Sequence, residues 1–193
     1  DGMKTIQLIK QQHKEVDKLF AAIEKADDTQ EKKQLFDQVA AMLVAHDAME
    51  REIFYPACEK RLGLDDVLGE ALVEHGLVEF SLYQADIARG KKGFEFRVSV
   101  LTEVVKHHVK EEEHQLLPKI AKELDADLDA ELYEKMQARF DKAMQSDFRA
   151  PLRANLEQVL QGALKPAPAE PPAKKTIADT RRHHNGASAR ASR

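Results

Sequence analysis

One pattern occurs twice in this chain. His46, Glu50 and Pro56 are followed 62 positions later by His108, Glu112 and Pro118, and His13 recurs as His75 at the same offset. Each copy therefore reads as a single His, then His-x-x-x-Glu 33 residues on, then Pro six residues beyond the Glu. With only eight histidines in 193 residues, four coincidences at one offset imply an internal duplication, and a helical hairpin is the simplest unit to duplicate.

Apolar periodicity supplies the helices. Between Met3 and about Ala26, Ile6, Ile9, Val16, Phe20 and Ile23 fall at helical steps, and His13 fills the gap in that stripe. Asp27 to Thr29 reads as a turn with Thr29 as the cap and Glu31 in the first turn of the next helix. That second helix is expected to reach Arg61, with Leu35, Val39, Leu43, Met49 and Ile53 inward and His46 and Glu50 on the same face. A third spans Asp66 to Ala88 on Leu68, Leu72, Val78 and Leu82, with His75 in a core position. A fourth runs from Phe94 to Leu124 on Val98, Leu101, Val105 and Leu116, with His108 and Glu112 on its stripe. Pro56 and Pro118 each remove a helix hydrogen bond, so bends are expected there.

These helices predict an all-α fold, an antiparallel up-down-up-down four-helix bundle over residues 3–125. Residues 126–163 form a further helical extension packed on the bundle, marked by Leu128, Leu132, Met136, Phe140, Met144, Leu152, Leu156 and Leu160 and interrupted near Pro151. Residues 164–193 read as a Pro/Ala-rich linker and a basic, disordered tail.

Position along the bundle can be reckoned as well. His75 and His108 lie about 16 and 17 residues from the middle of the Gly90 to Gly93 turn, roughly 25 Å at 1.5 Å per residue. Similar distances hold around Asp28 and Gly63. His13, His46, Glu50, His75, His108 and Glu112 should thus meet at one level inside the bundle, because residues four apart share a helix face. A single His on an apolar stripe is ordinarily a satisfied core residue. Four of them with two carboxylates would cost several kcal/mol for each uncompensated charge, so the set calls for a cation. Imidazole and carboxylate without thiolate suit iron, manganese or zinc. Two carboxylates between two His pairs suggest two ions bridged by Glu50 and Glu112, with His13 and His46 on one and His75 and His108 on the other. Room remains for an oxo or hydroxo bridge and a small ligand such as O2, NO or H2O2.

On these residues the chain resembles the hemerythrin-like, HHE cation-binding family over roughly residues 3–125. The resemblance implies a non-haem di-iron centre held by His13, His46, Glu50, His75, His108 and Glu112, with manganese or zinc as substitutes. Oxygen-carrying hemerythrins place a second His four residues after the first on the third helix, where this chain has Glu79. That departure shifts the expectation from carriage toward relatives that handle NO, peroxide or iron, including the repair-of-iron-centres group. Glu79 reads as a partner to the second ring nitrogen of His75, with an extra metal ligand or an ordinary surface acid as the other readings.

Residues outside the template receive plainer readings. Tyr55 and Tyr83 are assigned to core packing, with a phenol that donates to or ligates at the neighbouring site as the alternative, Cys58 to a small buried position, and His107 to solvent. Glu111 and His114 form the Glu-x-x-His spacing of ferritin-like centres, but no second such pair exists. His183 and His184 fall in the tail. That tail, counted from residue 162, holds seven Lys/Arg and two acids, a charge of +5 that leaves the rest of the chain at −9 of the overall −4. An acidic body argues against nucleic acid as main partner. No membrane span or leader is visible, so the expected compartment is the cytoplasm, consistent with a lone thiol. The functional expectation is a centre that binds or turns over a small oxidant or NO in sensing or stress protection, drawing on an electron donor if it is an enzyme. The alternative is an iron-homeostasis or structural metal module whose tail recruits a partner.

Overall fold

A computed structural model describes residues 3–161 except 64. The tail expectations, with its charge, His183 and His184, lie outside the described residues. Helix α1 (Lys4–Lys25) and α2 (Thr29–Met49) form the first hairpin, while α4 (Asp66–Ile87) and α5 (Phe94–Glu111) form the second. No strand occurs among the described residues, and the architecture is an all-α helical bundle. Connections this short leave successive helices no choice but to pack as neighbours, and α1 against α2 and α4 against α5 are extensive contacts. The turn of the second hairpin places Gly90 and Gly93 at φ 70° and 91°, a region that side-chain-bearing residues avoid.

Helix starts follow side-chain chemistry. Asp28, not Thr29, caps α2, its carboxylate accepting the Glu31 N–H at 2.8 Å; Thr29 is the first helical residue instead. Either residue type can cap, and the carboxylate adds a charge that complements the helix N-terminus. Asp65 does the same for α4 through the Leu68 N–H at 2.9 Å.

Neither proline simply bends its helix. The chain passes from α2 into a π-helical segment, Glu50–Phe54, before α3 (Tyr55–Leu62), and from α5 into Glu112–Leu116 before α6 (Leu117–Ile120). Both segments begin at the Glu of the repeat. Proline has no N–H for the carbonyl four residues back and its ring crowds that carbonyl. Widening the turn by one residue resolves this, with the Tyr55 and Leu117 N–H groups reaching back five residues to the carbonyls of Glu50 and Glu112. The inserted residue also rotates the stripe. Ile53, expected inward, is half-buried, and Phe54 and Tyr55 are fully buried in its place. Leu35 and Val78 are likewise only half-buried; beside Leu35, Phe36 is fully enclosed.

Two apolar cores result. One, around Phe20, Phe36, Leu43, Leu82, Leu101 and Val105, fills the half of the bundle nearest the Gly90 turn. The other, around Ile9, Met49, Phe54, Leu72, Leu116 and Ile120, fills the opposite half. Buried polar residues lie between them.

Helices α7 (Ala126–Met144) and α8 (Arg149–Leu160) follow. The break falls at residues 145–148, and Pro151 sits within the first turn of α8, where a missing N–H costs nothing. Leu132, Met136, Leu152 and Leu156 are buried, while Met144 and Leu160, each ending its helix, face solvent. Helix α7 packs on α1 and α2, and α8 on α4. Asp129 of α7 closes the start of α1, accepting from the Lys4 and Thr5 N–H groups at 2.8 and 3.0 Å, while Thr5 Oγ1 donates to its carbonyl at 3.0 Å. Helix α1 has no side-chain cap of its own. Replacing Asp129 by Ala should therefore cost about 1 to 2 kcal/mol, seen as a Tm lower by about 2 to 8 °C with metal uptake unchanged.

Candidate metal centre

His13, His46, Glu50, His75, His108 and Glu112 converge between the two cores, each no more than 7% exposed. His46 Nε2 and His75 Nε2 stand 3.0 and 3.2 Å from Glu50 Oε2. His13 Nε2 lies 3.3 Å from Glu112 Oε2 and His108 Nε2 3.9 Å from it. Donor atoms of His13, His46, Glu50 and Glu112 fall within 4.8 Å of one another, as do those of Glu50, His75 and His108. Glu50 belongs to both groups. The imidazoles pair as the repeat would have them, with ring centroids 5.0 Å apart for His13 and His46 and 4.5 Å for His75 and His108.

What orients the rings is a set of acceptors the sequence reading missed. Each Nδ1 meets one: His13 meets Glu113 at 2.9 Å, His46 meets Gln12 at 2.7 Å, His75 meets Asp47 at 2.7 Å, and His108 meets Glu74 at 3.0 Å. An acceptor at Nδ1 holds the proton there and leaves the Nε2 lone pair free, directed at the carboxylates. His13 Nε2, His46 Nε2, Glu50 Oε1 and Glu112 Oε2 are buried without a hydrogen-bond partner among the described residues. Buried polar atoms seldom stay unpaired. Four of them grouped at one level fit a cation.

Two of these acceptors were legible. Gln12 and Glu74 also stand 62 residues apart, each directly before the first His of its repeat and each serving the second. Asp47 and Glu113 break the symmetry, since their counterparts at the same offset are Val109 and Arg51.

The description hemerythrin HHE cation binding domain matches residues 4–120. The chain belongs to this family. A crystal structure of a hemerythrin HHE cation binding domain-containing protein from Mycobacterium kansasii superposes with a TM-score of 0.66 at 24% identity, over 78% of this chain and 98% of that one. A protein named DNA nickase from Nostoc sp. is 29% identical over 120 residues, covering 62% of this chain and 34% of its own length. The chain thus spans about a third of that relative.

Within this HHE domain the extension reaches the centre. Asn155 Nδ2 of α8 donates to Asp47 Oδ2 at 3.1 Å, and Arg51 Nε donates to the same oxygen at 3.0 Å. Asp47 therefore links α8 to His75. It also occupies the place at His75 Nδ1 that was expected for Glu79. Glu79 turns toward Arg51, 3.6 Å from Nη2, with Asp47 and Asn155 beside it. On position 79 of α4 the side chain faces the α2–α8 side, where the Asp47 and Arg51 side chains converge. Tyr55, assigned above to the core, enters the centre instead because the π-helical segment turns it inward. Its hydroxyl lies 2.7 Å from His75 Nε2 and donates to Glu112 Oε1 at 3.2 Å. Tyr83 is half-buried in the apolar core, and Cys58 is fully buried. His107 is exposed and pairs with Glu74 at 3.1 Å. His114 bonds to the Lys110 carbonyl, and Glu111 to Gln115, so no ferritin-like pair forms.

Without an ion, protons carry the compensating charge. Burial would lower the His13 and His75 pKa values. The Glu112 carboxylate 3.3 Å from the first, and the Asp47 and Glu50 carboxylates beside the second, outweigh it and raise them to about 9 and about 10. Burial pushes Glu50 up, but His46 and His75 hold it well below the ordinary range. Glu79 is raised to about 8, by burial first and then by Asp47. Burial, with the charges of Glu112 and Glu50, pushes both the Tyr55 hydroxyl and the Cys58 thiol up.

A cavity of about 30 Å³ adjoins the four imidazoles. Val16, Leu43, Val78, Leu82 and Val105 form much of its wall. It suits one or two molecules of water size, since a single water needs about 10 to 15 Å³ on this measure.

The raised His13 and His75 values set the sign of a pH effect. Their stabilising contribution is complete below pH 6.5 and is lost as pH rises through about 9 to 10. Metal-free protein should melt at progressively lower temperature from pH 6.5 to 10 in the presence of a chelator. Metal-loaded protein should show little of this loss, because the ion replaces the protons.

Proposed function

We propose that this HHE domain holds a non-haem di-iron centre that binds or reacts with O2, NO or H2O2, in sensing or in protection against oxidative or nitrosative stress. One observation carries the reading: four buried imidazoles, each with Nδ1 engaged outward, turn Nε2 toward two buried carboxylates. His13, His46, Glu50 and Glu112 would hold one ion, and Glu50, His75 and His108 the other, with Tyr55 adding an oxygen donor beside the second. Bound iron would supply open coordination positions and redox chemistry for a small ligand.

The chain's own residues do the rest. Gln12, Asp47, Glu74 and Glu113 keep each ring in one tautomer and orientation. Glu50 and Glu112 lie in an apolar interior, where their charge attracts a cation with little competition from water. The apolar wall of the cavity admits a diatomic or a peroxide and excludes larger, strongly hydrated molecules. No helix among the described residues is long and apolar enough to cross a membrane, and we place the protein in the cytoplasm, where an electron donor would be at hand. DNA nicking, the activity in the Nostoc protein's name, is not proposed for this chain. The matched segment is net acidic and offers phosphates little attraction. Iron-loaded protein should accordingly leave supercoiled plasmid intact.

Elemental analysis and visible absorption test the centre. About two equivalents of iron per chain are expected, with charge-transfer bands that disappear in both His46→Ala and Glu112→Ala. Adding H2O2 or NO to the reduced, loaded protein should change the spectrum. Inertness to both, combined with a large rise in Tm on loading, would favour an iron-homeostasis or structural role instead. Zinc alone, bound equally well by both variants, would rule out the di-iron reading.

A further inference from the structure

Helix α4 buries Leu72, His75, Glu79 and Leu82 on the side that faces the centre. Its opposite side reads Val73, Leu77, Phe80, Gln84 and Ile87, at steps of four, three, four and three residues that make one stripe. No charge interrupts it. Val73, Leu77, Phe80 and Ile87 are between 40% and 52% exposed. Water-facing sides of helices ordinarily carry charge, and α7 does so, exposing Glu131, Glu134, Lys135, Asp141 and Lys142. On the neighbouring, antiparallel α5, Phe96 and Val100 are 63% and 54% exposed. Phe96 and Ile87 lie equally far along the chain from the Gly90 to Gly93 turn, so the α5 residues widen the end of the stripe nearest that turn.

Together these six side chains leave on the order of 500 Å² of apolar surface open, near the upper end of what a monomer exposes. A homodimer interface of ordinary size needs about as much, being about 65% apolar over about 800 Å² per partner. The ends of the stripe are charged, and oppositely. Glu70 precedes Val73 by one turn, while Lys91 and Lys92 follow Ile87, all three exposed. Glu70 and Lys92 make no ion pair among the described residues.

We propose that this face joins two copies of the chain, with α4 of one lying antiparallel on α4 of the other across a two-fold axis at Phe80. A two-fold axis requires a self-complementary patch, and only the antiparallel arrangement sets Glu70 of each copy against the lysine end of the other. Parallel helices would oppose acid to acid and base to base. Phe80 stands seven residues from both Val73 and Ile87. It therefore meets its own counterpart, and Val73 meets Ile87. The interface is independent of the metal reading, since it uses the side of α4 turned away from His75.

Sedimentation equilibrium of the full chain, with and without iron, tests this. A dimer with a dissociation constant in the micromolar range or below is expected in both states. Leu77→Glu and Phe80→Glu should each raise that constant at least about a hundredfold by burying an unpaired charge, with helix content and iron uptake unchanged. Glu70→Lys and Lys92→Glu should each weaken the dimer about threefold, and their combination should restore it. Cys58 is fully buried, so an introduced surface thiol reacts alone. Phe80→Cys should crosslink with itself on mild oxidation; Val73→Cys and Ile87→Cys should crosslink in a mixture but neither by itself. A wild type that stays monomeric at tens of micromolar would overturn the proposal and assign the face to a different protein or to residues 162–193. Undiminished dimers in both Glu variants would place the interface elsewhere, and self-crosslinking of Val73→Cys would overturn the antiparallel arrangement.

Discussion

Two carboxylates in an apolar interior are the constraint on which this molecule turns. Glu50 and Glu112 are essentially inaccessible, between two hydrophobic cores that would be continuous without them. Leaving such charges uncompensated would cost several kcal/mol each. Much of the surrounding structure can be read as an answer to that cost. Four imidazoles face the carboxylates, and four outer acceptors hold those imidazoles in the orientation that turns their inner nitrogens toward the carboxylates.

The π-helical segments belong to the same answer. Each starts at the Glu and ends just before the residue preceding a proline, so the proline that disturbs the helix is spaced from the carboxylate by one widened turn. The widening turns Tyr55 into the centre at one repeat, while Leu117 occupies the matching position at the other. Duplication thus built a symmetric frame, and single substitutions then made its halves differ. Asp47, Arg51 and Glu79 lie on one side of the centre, and the extension braces that side through Asn155 of α8.

Much was legible in the sequence because a repeated spacing on a helix leaves few alternatives. Helices of 3.6 residues per turn put His46 and Glu50, or His108 and Glu112, on one face wherever they occur, and the short turns bring their levels together. What was misread shares a cause. Tyr55 was placed in the core and Ile53 on the inward stripe because Pro56 was expected to bend the helix without widening the turn before it. Glu79 was placed beside His75 because both lie on one helix face, whereas the partner of His75 came from a different helix altogether. The break before α8 was expected near Pro151 and falls a few residues earlier, because a proline in the first turn of a helix does not interrupt it.

The sequence alone determined the duplication, the all-α class, the level of the six converging residues and the chemical type of cation they suit, since all of these follow from spacing and side-chain chemistry. Even the acceptors Gln12 and Glu74 could have been found by extending the repeat by one residue. The tertiary structure alone decided the partners of His13 and His75, the entry of Tyr55, the closure of α1 by Asp129 and the turn of Glu79 toward Arg51. Those depend on how separate helices meet in space, and local periodicity carries no information about which residue of one helix faces a given residue of another.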